Sequence, residues 1–164
     1  MNSIIKMIIL LFVLGSCYRT DASVYADTVY INPEYNAGSN DGSYKKPYKS
    51  WNDISVKSNT AYLIKRSTKL TLIRPVNIPG KSNIFLGAYG DGSKPEIRTN
   101  SADKIMNVTH SKDVTISNIS MSGNGGTTYC LRVLGESNNV RIVNCIFSGA
   151  IWGIRLIGFE NGNQ

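Results

Sequence analysis

Apolar residues in the second half of the chain recur at every second position. In DVTISNISMSG (Asp113–Gly123) Val114 and Ile116 alternate with polar neighbours, and in NVRIVNCIFSG (Asn139–Gly149) Val140 and Ile142 do the same. A period of two belongs to a strand with one buried face, and no helical stripe at 3.6 residues appears. The two segments are also copies of each other, offset by 149 − 123 = 26 positions. LRVLG (Leu131–Gly135) returns as IRLIG (Ile154–Gly158) at 158 − 135 = 23. Self-similarity in the twenties predicts a solenoid, in which short strands form a coil that buries its apolar side by stacking on the next.

One aligned pair adds a structural expectation. Asn118 and Asn144 fall in register, each between two short apolar strands. Stacked about 4.8 Å apart, their amides would hydrogen-bond along the stacking axis and form a ladder. Two unrelated turn asparagines are the alternative. Further upstream, Asn83-Ile84 stands to Asp113-Val114 as that pair stands to Asn139-Val140. The first step, 113 − 83 = 30, is longer because a Gly90–Pro95 loop is inserted. TVYINP (Thr28–Pro33) and TAYLIKRST (Thr60–Thr68) read as earlier strands, separated by the Gly-, Ser- and Asn-rich stretch Asn36–Trp51.

The pattern V-x-I-x-N-x-x-F/M-S-G resembles a rung of the right-handed parallel β-helix of pectate lyases and similar polysaccharide-active proteins. AYGDGSKPEI (Ala88–Ile97) resembles the phrase that closes an early rung in those proteins, and Asn36–Trp51 resembles their opening loop. The usual Gly-Asp is here Ser58-Asn59, and the closing Gly-Thr-Tyr is Ser67-Thr68-Lys69, so the turns should differ in shape. The resemblance implies an all-β, right-handed single-stranded parallel β-helix of about four coils. Residues 23–100 would form the entry segment and first coils, and 101–164 the regular rungs. No capping pattern precedes Gly162-Asn163-Gln164, which predicts that the solenoid is truncated at its C-terminus. A small complete β-helix closed by a partner is the alternative.

Residues 1–22 read as an export signal. Lys6 precedes the short apolar run Met7–Leu14, and LGSC (Leu14–Cys17) resembles a bacterial lipoprotein box with Cys17 as the lipidated residue. Ordinary secretory cleavage after Ala22 is the other reading. The protein would then be an outer-membrane or periplasmic lipoprotein, or a secreted protein, meeting the membrane only through a lipid. The remaining cysteines, Cys130 and Cys145, read as buried free thiols without zinc-type spacing. His110 reads as a surface turn residue.

The formal charge of +7 suits an acidic partner outside the cell, such as a uronate or sulfated glycan. Scattered lysines without a recognised module argue against nucleic acid. In the similar lyases, substrate lies along one parallel sheet, and calcium or a basic residue neutralises the uronate carboxylate while Lys or Arg removes the α-proton. On the strand pattern Leu131, Val133, Ile154 and Leu156 point inward, which sends Arg132 and Arg155 outward on adjacent rungs. Tyr129 and Trp152 begin the same strands, after the loops Gly123–Thr128 and Gly149–Ile151, and offer aromatic faces to sugar rings. A solvated outer face with aromatic rim packing is the alternative.

No catalytic residue is identified. Asp103, Asp113, Glu136 and Glu160 form no pair spaced for glycoside hydrolysis. Calcium is implied only by the resemblance: Asp41 among Asn36, Asn40 and Ser43 lacks the spacing of a calcium loop. The leading expectation is an envelope-associated or secreted polysaccharide-active protein, lyase-like on an acidic glycan. A non-catalytic glycan-binding or adhesion module is the other.

Overall fold

The computed structural model describes residues 25–52, 54–100 and 103–158. The export signal, Cys17, Glu160 and the terminal Gly162–Gln164 lie outside the described residues. Among the described residues every named element is a strand, and every pairing is parallel.

A leading strand β1 (Asp27–Ile31) precedes four coils. The first holds β2 (Thr60–Lys65), β3 (Lys69–Leu72) and β4 (Val76–Pro79). The second holds β5 (Ser82–Tyr89), β6 (Glu96–Thr99) and β7 (Lys104–Thr109). The third is β8 (Lys112–Ser117) and the long β9 (Ser120–Leu134); the fourth is β10 (Asn138–Val143) and β11 (Ile146–Ile157). The first face of the prism is the sheet β1-β2-β5-β8-β10. β9 and β11 each run across both other faces: their first parts continue β3 and β6, and their second parts continue β4 and β7.

The core follows from this register. On the first face Val29, Tyr62, Leu86, Ile116 and Ile142 stack in one inward row. The second face contributes Leu70, Ile97, Met121 and Phe147, and the third Val76, Met106, Leu131 and Ile154. Members of the inner rungs are almost entirely buried, and each such side chain stabilises the fold by about 1.5–3 kcal/mol. The expected inward residues Ile154 and Leu156 do occupy the core register, but on the outermost described rung they remain 39% and 74% exposed.

Between faces the chain bends through left-handed residues. Asn59, Asn83, Asp113 and Asn139 occupy one bend with φ of 58°, 55°, 54° and 49°. Short polar side chains tolerate that conformation best because they hydrogen-bond locally. Here they also bond along the axis: Asn83 donates to Asn59 Oδ1 at 3.2 Å and Asn139 to Asp113 Oδ1 at 2.5 Å. At the next bend Asn144 donates from Nδ2 to Asn118 Oδ1 at 2.6 Å, with φ of 52° and 58°. This pair sits at the edge of the solenoid, partly exposed, and not in the core.

The structure revises both loop expectations on these rungs, and Gly149–Ile151 lies within β11. The loop expected at Gly123–Thr128 is part of β9, where it forms a bulge. Ser122 pairs with Ser148, yet the next partners are Thr127 and Ala150. Four residues therefore oppose one, and the surplus, 4 − 1 = 3, is the difference between the repeat offsets, 26 − 23 = 3. Asn124 holds the bulge: its Oδ1 accepts from Gly126 N and Thr127 Oγ1, both at 3.0 Å, and its Nδ2 donates to the Asn100 carbonyl at 2.9 Å.

Burial has a consequence for pH. It pushes the Cys130 and Cys145 thiols above their ordinary 9.0 and the Tyr62, Tyr89 and Tyr25 phenols above 10.0. These groups hold their protons more tightly folded than unfolded, so their contribution is complete below about pH 9 and is lost as pH rises through the folded values. The urea midpoint is expected to fall steadily from about pH 8 to pH 11. A midpoint constant across that range would show that these groups are not buried in solution.

Candidate functional site

The outer side of the third face gathers the candidate residues. Alternation along β4, β7, β9 and β11 puts one residue of each outward between two core positions. Asn77, Asn107, Arg132 and Arg155 are successive register partners, so they form a row with steps of about 4.8 Å along the axis. A second row runs from Lys104 at the start of β7 through Tyr129 and Trp152, which lie within β9 and β11 and do not begin strands as expected.

The two arginines do not face each other bare. Arg132 Nε donates to Asn107 Oδ1 at 3.0 Å, and Asn107 in turn donates from Nδ2 to Thr109 Oγ1 at 3.0 Å. Arg155 Nη1 donates to the Tyr129 hydroxyl at 2.5 Å. The Tyr129 ring lies beneath both guanidinium groups, with Cζ of Arg132 at 5.9 Å and of Arg155 at 5.3 Å from its centroid. Each contact is an ordinary cation–π attraction, about 0.5–1 kcal/mol at such exposure. Tyr129 is thus the hub that lets two like charges share adjacent rungs.

All the partners found for these arginines are neutral. Among the described residues, the ion pairs are Arg98 with Glu96 and Lys104 with Asp103. Lys104 therefore enters the second row already neutralised, while Arg132 and Arg155 keep their charge for something else. Arg132 is half-buried, Arg155 is exposed, and Trp152 is 52% exposed at the rim. The face can hold an anion by hydrogen bonds from two guanidiniums beside an aromatic edge.

Asn107 and Asn77 were missed by the sequence reading. The signal was present, since KIMNVT (Lys104–Thr109) alternates like LRVLG and its MNVT echoes VNIP (Val76–Pro79) at 106 − 76 = 30, but that offset lies outside the repeats of 26 and 23.

The remaining candidates lie apart from this face. Asp41 accepts a hydrogen bond from Ser43 N at 2.9 Å, and its bonds to Ser43 hold its carboxyl below the usual range. It is a turn residue, and among the described residues no cluster of three His, Cys, Asp or Glu side chains could hold a metal. Cys130 and Cys145 are free thiols, with Cys130 buried. His110 is exposed at a bend with φ of 48°.

No protein-family model and no curated protein matches the chain. A solved structure similar in fold is the native GH136 lacto-N-biosidase of Eubacterium ramulus, with a TM-score of 0.53 and 15% sequence identity. The match covers 82% of this chain and 35% of that one, so the chain spans about a third of its neighbour's length. At that identity the likeness is one of fold alone, and with the register above it establishes the chain as a parallel β-solenoid of about four turns.

Proposed function

We propose that the protein is a glycan-binding β-helix that holds an acidic polysaccharide along its third face outside the cytoplasm. The observation that carries this reading is the row of Arg132 and Arg155 on adjacent rungs, oriented by Asn107 and Tyr129 and without an acidic partner among the described residues. Repeated cations at a regular spacing match the repeated anions of a uronate or sulfated chain. Trp152 adds an apolar edge for a sugar ring. The neighbouring fold belongs to a lacto-N-biosidase, which supports a glycan as the ligand. The formal charge of +7 supports an acidic one.

A second reading, cleavage of the bound uronate by β-elimination, has the Arg155–Tyr129 contact in its favour. That contact sets a cation able to pair with the uronate carboxylate beside a phenol able to protonate the leaving oxygen. The second reading predicts that unsaturated uronide accumulates, seen as ultraviolet absorbance, when polyuronate is incubated with the protein.

The test of binding is retention on an immobilised uronate polymer. Replacing both Arg132 and Arg155 with Ala is expected to weaken retention about 100-fold, at roughly ten-fold per charge-assisted contact. Retention unchanged in the double variant would remove this face from the account.

A further inference from the structure

The bulge in β9 sets an asparagine amide against the backbone that follows it. Asn124, Gly125 and Gly126 are all exposed there. Asn124 Oδ1 accepts from Gly126 N at 3.0 Å, which closes a ring like that of a turn and carries Cγ back over the intervening Gly125 nitrogen. The same Oδ1 accepts from Thr127 Oγ1, also at 3.0 Å. Two donors on one amide oxygen polarise its carbonyl bond, and they are already in place for negative charge that develops on that oxygen. Nδ2 donates to the Asn100 carbonyl at 2.9 Å, which fixes the plane of the amide. Gly125 has φ of +85° and nothing within 4 Å of its Cβ position, so no bulk stands beside its nitrogen.

We propose that Asn124 is a self-modification site, at which the Gly125 peptide nitrogen attacks Asn124 Cγ. The nitrogen gives up its proton to water, and the N–Cγ bond forms as charge moves onto Oδ1 between its two donors. Collapse breaks the Cγ–Nδ2 bond, and Nδ2 takes a proton from water and leaves as ammonia. Water then opens the cyclic imide at either carbonyl, giving aspartate or isoaspartate at position 124. The nucleophile, the leaving group and the oxyanion donors all belong to this chain, and water is the sole co-reactant.

The product alters the bulge. A carboxylate cannot donate to the Asn100 carbonyl, and it adds negative charge ahead of Tyr129 and Arg132 on the same strand. Isoaspartate also adds a methylene to the backbone between Gly123 and Gly125. Conversion is therefore a one-way timer on the arginine face. That consequence rests on the glycan-binding reading above, whereas the modification itself stands independently of it.

The chain has two Asn-Gly pairs, Asn124-Gly125 and Asn161-Gly162, and peptide mapping by mass reads each separately. The folded protein is incubated in neutral buffer and sampled over days, beside the same protein unfolded in guanidinium chloride. Conversion at Asn124 is seen as the mass gain of an amide turned to an acid, and as isoaspartate. It is expected to run about ten-fold faster folded than unfolded. Thr127→Val removes one donor to Oδ1, and Gly125→Ala sets a methyl beside the attacking nitrogen; each is expected to slow conversion about ten-fold. Gly125→Ala meets open space, so its result stands even where Thr127→Val disturbs the fold. Conversion no faster folded than unfolded, or undiminished in Gly125→Ala, would overturn the proposal. Retention on immobilised uronate is then measured for the converted protein. Weakened retention supports the timer, and unchanged retention removes that role while leaving the modification.

Discussion

Gly123→Ala is expected to destabilise the protein by about 3 kcal/mol, and Gly125→Ala, two residues away in the same bulge, by only about 1 kcal/mol. The two glycines are there for different reasons. Gly123 has an ordinary backbone conformation, but a Cβ on it would sit 2.3 Å from the Gly149 carbonyl oxygen and 2.7 Å from Thr127 Cβ. Neither neighbour can yield cheaply. The carbonyl belongs to the stacked rung, and Thr127 is buried and bonded to Asn124. Gly125 has φ of +85° with nothing within 4 Å of its Cβ position, so an alanine meets only backbone strain. Urea denaturation of both variants checks this, and equal losses would show that rungs three and four are not in close backbone contact at the bulge. The effect is functional as well as structural, since Tyr129 and Arg132 are placed by the strand that leaves this bulge.

The glycine pair shows what a single chain discloses of its own fold. Gly123 and Gly149 end the two aligned copies, so their stacking was legible as a repeat, and so was the Asn118–Asn144 contact. The change of offset from 26 to 23 also held the bulge, though its meaning needed the register. Other elements were less visible. KLTL in the first coil alternates well without a close copy downstream, and VNIP returns only as MNVT at 106 − 76 = 30, outside the offsets of 26 and 23, so periodicity had to separate strand from loop. The ladder at the first bend was hidden because Asp113 interrupts its asparagines.

The site was legible only in its direction. Period two sends Arg132 and Arg155 to the outside, but it does not say where a long side chain ends. That Tyr129 lies under both guanidiniums, and that Asn107 accepts from Arg132, depends on rotamers set by neighbours a rung away.

The second large effect is expected in the core, and it tests the stacking principle directly. Leu131 and Leu156 are both inward repeat positions of the third face. Leu131 lies between Met106 and Ile154 in its row and is fully buried, whereas Leu156 is 74% exposed. Leu131→Ala is therefore expected to cost about 3 kcal/mol, within the range for a leucine truncated in a packed interior. Leu156→Ala should cost less than about 1 kcal/mol, because most of its side chain already meets water. The sequence pattern scores the two alike; only neighbours on both sides make a solenoid position a core position. Chemical denaturation of the two variants measures the difference. A loss for Leu156→Ala as large as that for Leu131→Ala would mean that the outer rung is covered in solution, and that its inward residues pack as the inner ones do.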